Sequence, residues 1–244
     1  MRSVESWAKI LSAAALGALL SACSGLPRDA SLPIDDPNEH FNRGVLRLNQ
    51  VVLDAPATAV KSMPGAIRDR LQDLDANLKE PRVLGNNLLQ GRFNAAAITI
   101  GRIIFNTTFG LGGLFDVASQ GGLPQQTGDF GQTMFVWGVP AGSYVVSPYF
   151  GPSTQRDSVG GVVDTVGDPV GWVVGGLWIG WPWSVGTGTL SATAHLAQWK
   201  QAESASVDFY SFLRSSYYQT RRAQLREALG LPPIVESPAT DGHQ

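Results

Sequence analysis

Residues 93–109 read FNAAAITIGRIIFNTTF, and their only charged side chain is Arg102. Apolar residues lie on most faces of a helix drawn through this run. Such a helix packs either in a protein core or against a membrane. Three glycines, Gly110, Gly112 and Gly113, follow directly and predict the end of the helix. The chain is therefore predicted to contain one strongly apolar helix, packed either in a protein core or against a membrane.

Two longer stretches, residues 130–155 and 169–199, contain no Asp, Glu, Lys or Arg. Five of the seven tryptophans lie between residues 137 and 183: Trp137, Trp172, Trp178, Trp181 and Trp183. Because tryptophan favours the membrane–water interface, the last four are candidates for that position. Prolines and glycines interrupt both stretches too often for a spanning helix of about 20 apolar residues. Helices that lie partly in one leaflet, or a compact helical ring in the membrane, fit better. A soluble bundle that buries these tryptophans is the alternative.

Helical spacing of apolar residues predicts further helices. They cover residues 39–53, 64–78, 153–166 and 187–229, the last as one helix or two. Pro56 and Pro81 are expected to end the first two, and Ser153 is expected to cap the third. Residues 143–146 are the best candidate for a short strand. The predicted fold class is mainly α, a compact ring of short amphipathic helices with little or no β structure.

The N-terminal residues have the pattern of a secretory signal. Arg2 and Lys9 are followed by an apolar run over residues 10–20 and then by Leu-Ser-Ala-Cys, ending at Cys23. This pattern predicts a lipoprotein signal peptide over residues 1–22, lipid attachment at Cys23, and a lipidated tether over residues 23–36. Ser24, in place of Asp, matches the sorting pattern for the outer membrane. An ordinary secreted protein with one stray thiol is the alternative.

The predicted organisation after the tether is one helical body over residues 37–230 and a disordered polar tail over residues 231–244. The chain has 18 basic and 20 acidic residues without a basic cluster, so nucleic acid is not expected as a partner. The three histidines, His40, His195 and His243, show no metal-ligand spacing. No nucleophile-elbow motif is present either. We therefore expect no catalytic residue, no metal and no cofactor. A membrane-tethered phospholipase is the alternative, because the members of a catalytic triad meet only in space.

Six short strings occur in a characteristic order and spacing. They are residues 36–43 (DPNEHFNR), 77–81 (NLKEP), 106–116 (NTTFGLGGLFD), 129–133 (DFGQT), 151–157 (GPSTQRD) and 181–186 (WPWSVG). Together they resemble the VacJ/MlaA lipoprotein family, from about residue 35 to about residue 229. The resemblance implies a helical ring embedded in the outer membrane, lipid-anchored on the periplasmic side, around an amphipathic channel.

The same resemblance implies a function and partners. Members of the family remove misplaced phospholipids from the outer leaflet and so maintain the lipid asymmetry of the outer membrane. They associate with trimeric porins and pass the lipid to a periplasmic phospholipid-binding carrier protein. A structural lipoprotein that only scaffolds a porin is a further alternative.

Eight residues are candidates for the channel or a hinge: Phe41, Asn42, Arg102, Gly110, Gly112, Gly113, Arg156 and Asp157. The glycines either form a hinge or a tight bend at the passage, or simply end a helix. The three charged residues either contact a lipid phosphate or pair with one another, and we expect pairing. Phe41 and Asn42 lie on the first helix, which either controls passage or positions the body in the membrane. In the plainer arrangement Phe41 anchors the core and Asn42 faces solvent, and for Phe41 we expect this arrangement.

Overall fold

The computed structural model describes residues 35–148, 150–171 and 203–232. Its elements are α1 (Glu39–Ser62), α2 (Gly65–Leu89), α3 (Phe93–Thr108), α4 (Val117–Gln120), α5 (Phe130–Val136), β1 (Tyr144–Ser147), β2 (Gly151–Thr154), α6 (Gln155–Val166) and α7 (Phe209–Ala228). The predicted signal peptide, Cys23, most of the tether, Trp172, Trp178, Trp181, Trp183, residues 187–202 and the tail beyond residue 232 lie outside the described residues.

The described chain is mostly helical, which confirms the predicted fold class. Its β structure is one hairpin, in which β1 and β2 pair antiparallel from Tyr144 opposite Thr154 to Ser147 opposite Gly151. The short strand predicted at residues 143–146 is confirmed to within one residue. Helix α3 also begins and ends as its apolar pattern predicts.

Two predicted helix ends at prolines are wrong. Helix α1 continues past Pro56 to Ser62, and α2 continues past Pro81 to Leu89. A proline removes one N–H and so one helical hydrogen bond, which packing can offset. In α2 the buried polar residues lie on both sides of Pro81, so the same interior contacts hold both halves of the helix.

The predicted cap of α6 is wrong by one residue. Thr154 caps the helix, because its Oγ1 accepts a hydrogen bond from the backbone N–H of Asp157 at 3.3 Å. Ser153 instead lies opposite Val145 in the hairpin. The strand therefore runs directly into the helix and fixes its first turn. Of the helical segment predicted over residues 187–229, the distal part is α7.

Helix α1 docks on the hairpin through two asparagines seven residues apart. The side chain of Asn42 donates to the carbonyl of Tyr144 at 3.2 Å and accepts from the N–H of Val146 at 3.0 Å. Asn49 donates to the carbonyl of Ser147 at 3.0 Å. Asn42 is 1% exposed and Phe41 is 69% exposed. The expectation that Phe41 anchors the core is therefore wrong, and the neighbouring Asn42 is the residue that faces the interior.

The largest apolar core cluster of the described residues joins α1, β1 and α7. The ring of Tyr144 packs against those of Tyr210, Tyr217 and Tyr218, with centroid distances of 6.1, 6.0 and 5.9 Å. Val45 and Leu46 of α1 complete the cluster, together with Val146, Leu213 and Phe209. This core fixes the first and last described helices against the same strand.

Candidate functional site

The apolar helix predicted first, α3, has its polar residues inside and its apolar residues outside. Thr99, Arg102 and Asn106 recur at helical spacing and are buried. On other faces, large apolar side chains are exposed: Phe93, Ile100, Ile104 and Phe105. A helix on the surface of a water-soluble protein shows the opposite arrangement.

Helix α6 shares this inversion, and α1 shares it in part. In α6, Arg156, Gly160 and Asp164 are buried, one turn apart, while four valines are exposed: Val159, Val162, Val163 and Val166. In α1, Asn42 and Asn49 are buried while Phe41, Leu48, Val51 and Val52 are exposed, although Val45 and Leu46 pack in the apolar core cluster. Contiguous exposed apolar surface of this extent marks an interaction with a membrane or a partner. None of the helices described is both long enough and apolar enough to cross a bilayer.

Arg102 is the centre of the first buried polar cluster. Its Nε donates to Glu80 Oε1 at 2.5 Å, and its Nη2 lies 3.3 Å from Asp116 Oδ2. Its Nη1 donates to Ser119 Oγ at 2.9 Å and to the carbonyl of Leu123 at 2.8 Å. Burial raises the pKa of Glu80, although the charge of Arg102 opposes this shift. Nearly all donors of Arg102 are used, so this guanidinium holds α2, α3 and α4 together.

The glycine-rich loop after α3 forms a bend that packs on α2. Leu111, Gly112 and Gly113 have φ angles of 52°, 72° and 98°. A Cβ atom on Gly113 would lie 2.4 Å from Asn77 Nδ2, whereas one on Gly112 would meet nothing within 4 Å. The side chain of Asn77 also reaches toward the loop, with its Nδ2 3.5 Å from the carbonyl oxygen of Gly112. Only glycine fits at residue 113, both for its backbone angle and for this close approach.

A second charged cluster, centred on Arg221 of α7, holds the N-terminal ends of α5 and α6. Arg221 makes bidentate hydrogen bonds to Asp129 (2.6 and 2.8 Å) and to Asp157 (2.8 and 2.8 Å). Arg156 and Tyr217 also donate to Asp157, at 2.9 and 2.6 Å. Burial opposes ionisation of Asp157, but the charges of Arg221 and Arg156 outweigh it and hold the pKa of this carboxyl below its ordinary value.

An open cavity of about 350 Å³ borders this second cluster. It is lined by Asp129, Ser153, Asp157, Gly161, Asp164, Tyr217, Thr220, Arg221 and Gln224. Asp164 accepts from Asn86 Nδ2 at 2.8 Å and from the N–H of Phe130 at 2.9 Å. Burial raises the pKa of Asp164, and these two hydrogen bonds oppose the shift. The cavity thus connects α2, α5, α6 and α7 through polar side chains.

These features, a polar interior and an apolar exterior, accompany a clear family match. The family model of the MlaA lipoprotein matches residues 34–224. The chain belongs to the MlaA lipoprotein family. It is 34% identical over 222 residues to the intermembrane phospholipid transport system lipoprotein MlaA of Escherichia coli (strain K12), with 86% of each chain covered. The MlaA of Haemophilus influenzae is 32% identical over 215 residues, covering 83% of this chain and 82% of that relative.

A solved structure agrees with the family match. It was presented as the structural basis for maintenance of bacterial outer membrane lipid asymmetry. It superposes on this MlaA-family chain with a TM-score of 0.66 and 28% identity, covering 78% of this chain and 98% of that one. The mostly helical fold with one small hairpin is therefore the MlaA fold.

The structure places the candidate residues of this MlaA-family chain in separate groups. Arg102 and the glycine loop lie at α2–α4, whereas Arg156 and Asp157 lie at the Arg221 cluster. The expected ion pairing is present, but Arg102 pairs with neither Arg156 nor Asp157. Sequence reasoning missed the partners Glu80, Asp116, Asp129 and Arg221. The first three stand inside the family strings, which is the signal that identifies them, while Arg221 stands in none.

Proposed function

We propose that the protein is an outer-membrane lipoprotein, acylated at Cys23 and facing the periplasm, that takes part in intermembrane phospholipid transport. The observation that carries the proposal is the inverted burial of α3 and α6, with polar side chains inside and large apolar side chains outside, together with the exposed apolar residues of α1. Such a body is stabilised by an apolar environment and offers a polar route within it. Its E. coli and H. influenzae relatives carry the corresponding name.

A route with both apolar and polar walls matches the energetics of the cargo. Moving a two-chain lipid through water exposes roughly 30 methylene groups, which costs on the order of 25 kcal/mol at about 0.8 kcal/mol each. Moving its head group through hydrocarbon is also costly, because polar groups lose their hydrogen bonds. A passage lined on one side by polar residues and on the other by apolar ones lowers both costs. No covalent step is needed, and we propose that the protein is not an enzyme.

The described contacts support distinct roles for the candidate residues. We propose that Arg102, Arg156 and Asp157 are positioning residues rather than lipid ligands, because each forms a buried ion pair within the protein. Gly110, Gly112 and Gly113 form the bend that places α3 beside the passage. Phe41 faces the bilayer, while Asn42 fixes α1 to the hairpin. Trp172, Trp178, Trp181 and Trp183 are proposed at the membrane interface on the basis of residue type.

The proposed partners are phospholipids, a trimeric porin of the outer membrane and a periplasmic phospholipid-binding carrier. The family resemblance supports the two protein partners. The exposed apolar side chains of α1, α3 and α6 support contacts with lipid or with a protein partner, because no other part of the described chain covers them.

A deletion strain of the source bacterium tests the proposal. Surface labelling of phospholipid head groups should show excess phospholipid in the outer leaflet, and the cells should become sensitive to detergent. The full chain should restore both properties. Cys23→Ala serves as the matched variant and should fail, because it lacks the acyl anchor. Unchanged leaflet composition in the deletion strain would contradict the proposal.

A second measurement separates transport from hydrolysis. Purified protein is incubated with radiolabelled phospholipid in vesicles, and released fatty acid is measured. We expect none above the buffer control. Release that disappears on substitution of a single serine or histidine would favour the phospholipase alternative instead.

A further inference from the structure

Helix α2 carries a second polar stripe, whose C-terminal end contacts α6. Asp75, Lys79, Arg82 and Asn86 follow one another at helical spacing, and Asp75 and Asn86 at its two ends are buried. Asn86 donates to Asp164 of α6 at 2.8 Å, so the end of the stripe reaches the polar cavity. Arg82 stands one turn before Asn86 and is half-buried.

Arg82 differs from most arginines of the described chain in having no carboxylate partner. Seven others form ion pairs: Arg43, Arg70, Arg92, Arg102, Arg156, Arg214 and Arg221. Among the described residues no carboxylate oxygen lies within 4.0 Å of Arg82, and its Nε is buried without a hydrogen-bond acceptor. The carboxylate of Asp164 is close enough to feel the charge of Arg82, but it is already bonded to Asn86 and Phe130.

A half-buried guanidinium without an anion lowers the stability of the fold, because no ion pair offsets the free energy lost by desolvation. Its planar fork fits two oxygens of a phosphate better than a single acceptor. We infer that Arg82 contacts the phosphate of the phospholipid during passage, as a substrate-binding residue one turn from Asn86, which bonds to the cavity residue Asp164. This inference rests on the proposed function and names the head-group chemistry that the passage recognises. Inorganic phosphate carries the same chemistry, so the test must separate the two sources.

The experiment uses the purified full chain in dodecyl maltoside, with binding measured by isothermal titration calorimetry. The two lipid probes are dioctanoyl-phosphatidylglycerol and dioctanoylglycerol, which share their acyl chains and differ by the phosphate-bearing head group. The variants are Arg82→Gln, Arg82→Lys and Arg47→Gln. Arg47 is the matched control, because it is exposed on α1 and has no ion pair to a described carboxylate. Inorganic phosphate is titrated separately.

We expect Arg82→Gln to weaken phosphatidylglycerol binding about tenfold, as loss of a charged hydrogen bond does, and to leave dioctanoylglycerol binding unchanged. Arg82→Lys should retain part of the affinity because it keeps the charge. Equal phosphatidylglycerol affinities of Arg82→Gln and Arg47→Gln would overturn the inference. So would an equal loss for both lipids, since that indicates a structural role, or inorganic phosphate binding as tight as that of the lipid. If the parent protein binds neither lipid, the proposed function itself is contradicted.

Discussion

Replacing Gly113 by alanine tests how tightly the glycine loop is fixed to α2. Its added Cβ would lie 2.4 Å from Asn77 Nδ2 and 2.6 Å from Asn77 Cβ, and the backbone angle there is +98°. The positive φ alone costs about 1–2 kcal/mol for a residue other than glycine. Overpacking against Asn77 adds about 1–3 kcal/mol. The expected loss in the free energy of unfolding is therefore about 2–5 kcal/mol.

Gly112→Ala is the matched control, because residue 112 also has a positive φ but an added Cβ meets nothing within 4 Å. It should cost about 1–2 kcal/mol from the backbone alone. Denaturant unfolding of both variants in dodecyl maltoside, followed by circular dichroism, gives the difference between them. If Gly113→Ala is no less stable than Gly112→Ala, the loop is not held against Asn77, and the argument for a fixed bend is refuted.

Three further predictions concern the buried charges and the exposed apolar faces. Arg102→Met should lower the free energy of unfolding by about 3–5 kcal/mol, because it leaves Glu80 buried without its partner. The double variant Arg102→Met/Glu80→Gln should recover part of this loss in the same unfolding assay. Val162→Asp should reduce partitioning into phospholipid vesicles measured by flotation, whereas Val162→Ala should not, since Val162 is exposed on α6. The pKa of Asp157 is lowered in the folded protein, so its ion pair with Arg221 stabilises the fold above the unfolded pKa of about 3.9. This contribution is lost as the pH falls through the lower pKa of the folded state. Asp157→Asn should flatten that part of the curve of stability against pH, and an unchanged curve would contradict the assigned pairing.

The sequence predicts where helices lie better than which side of them faces inward. Phe41, Val45, Leu48 and Val52 recur at helical spacing, and this periodicity correctly predicts α1. We expected Phe41 of this stripe in a water-excluded core, but only Val45 of the stripe is buried, whereas its other three residues are exposed. Asn42, next to Phe41, is buried instead. Periodicity separates an apolar face from a polar one, but it does not say which face meets the protein interior when the surroundings are themselves apolar.

The charged clusters show a second limit of local pattern. Arg221 is separated from Asp157 by 64 residues and from Asp129 by 92. No spacing within α7 distinguishes Arg221 from the other arginines of that helix, so its role depends on the tertiary fold. The ends of α1 and α2 were missed for a related reason, since contacts distant in sequence outweigh the local cost of Pro56 and Pro81.

The docking of α1 on the hairpin also affects the tendency of the chain to aggregate. A two-stranded hairpin has an open edge on each side, and an open edge is a template for pairing with other chains. Asn42 occupies the N–H of Val146 and the carbonyl of Tyr144 on one such edge, and Asn49 binds the carbonyl of Ser147. These two amides imitate a neighbouring strand and so shield β1 from self-association. Loss of either side chain would therefore leave backbone groups of β1 unpaired and favour aggregation through this edge.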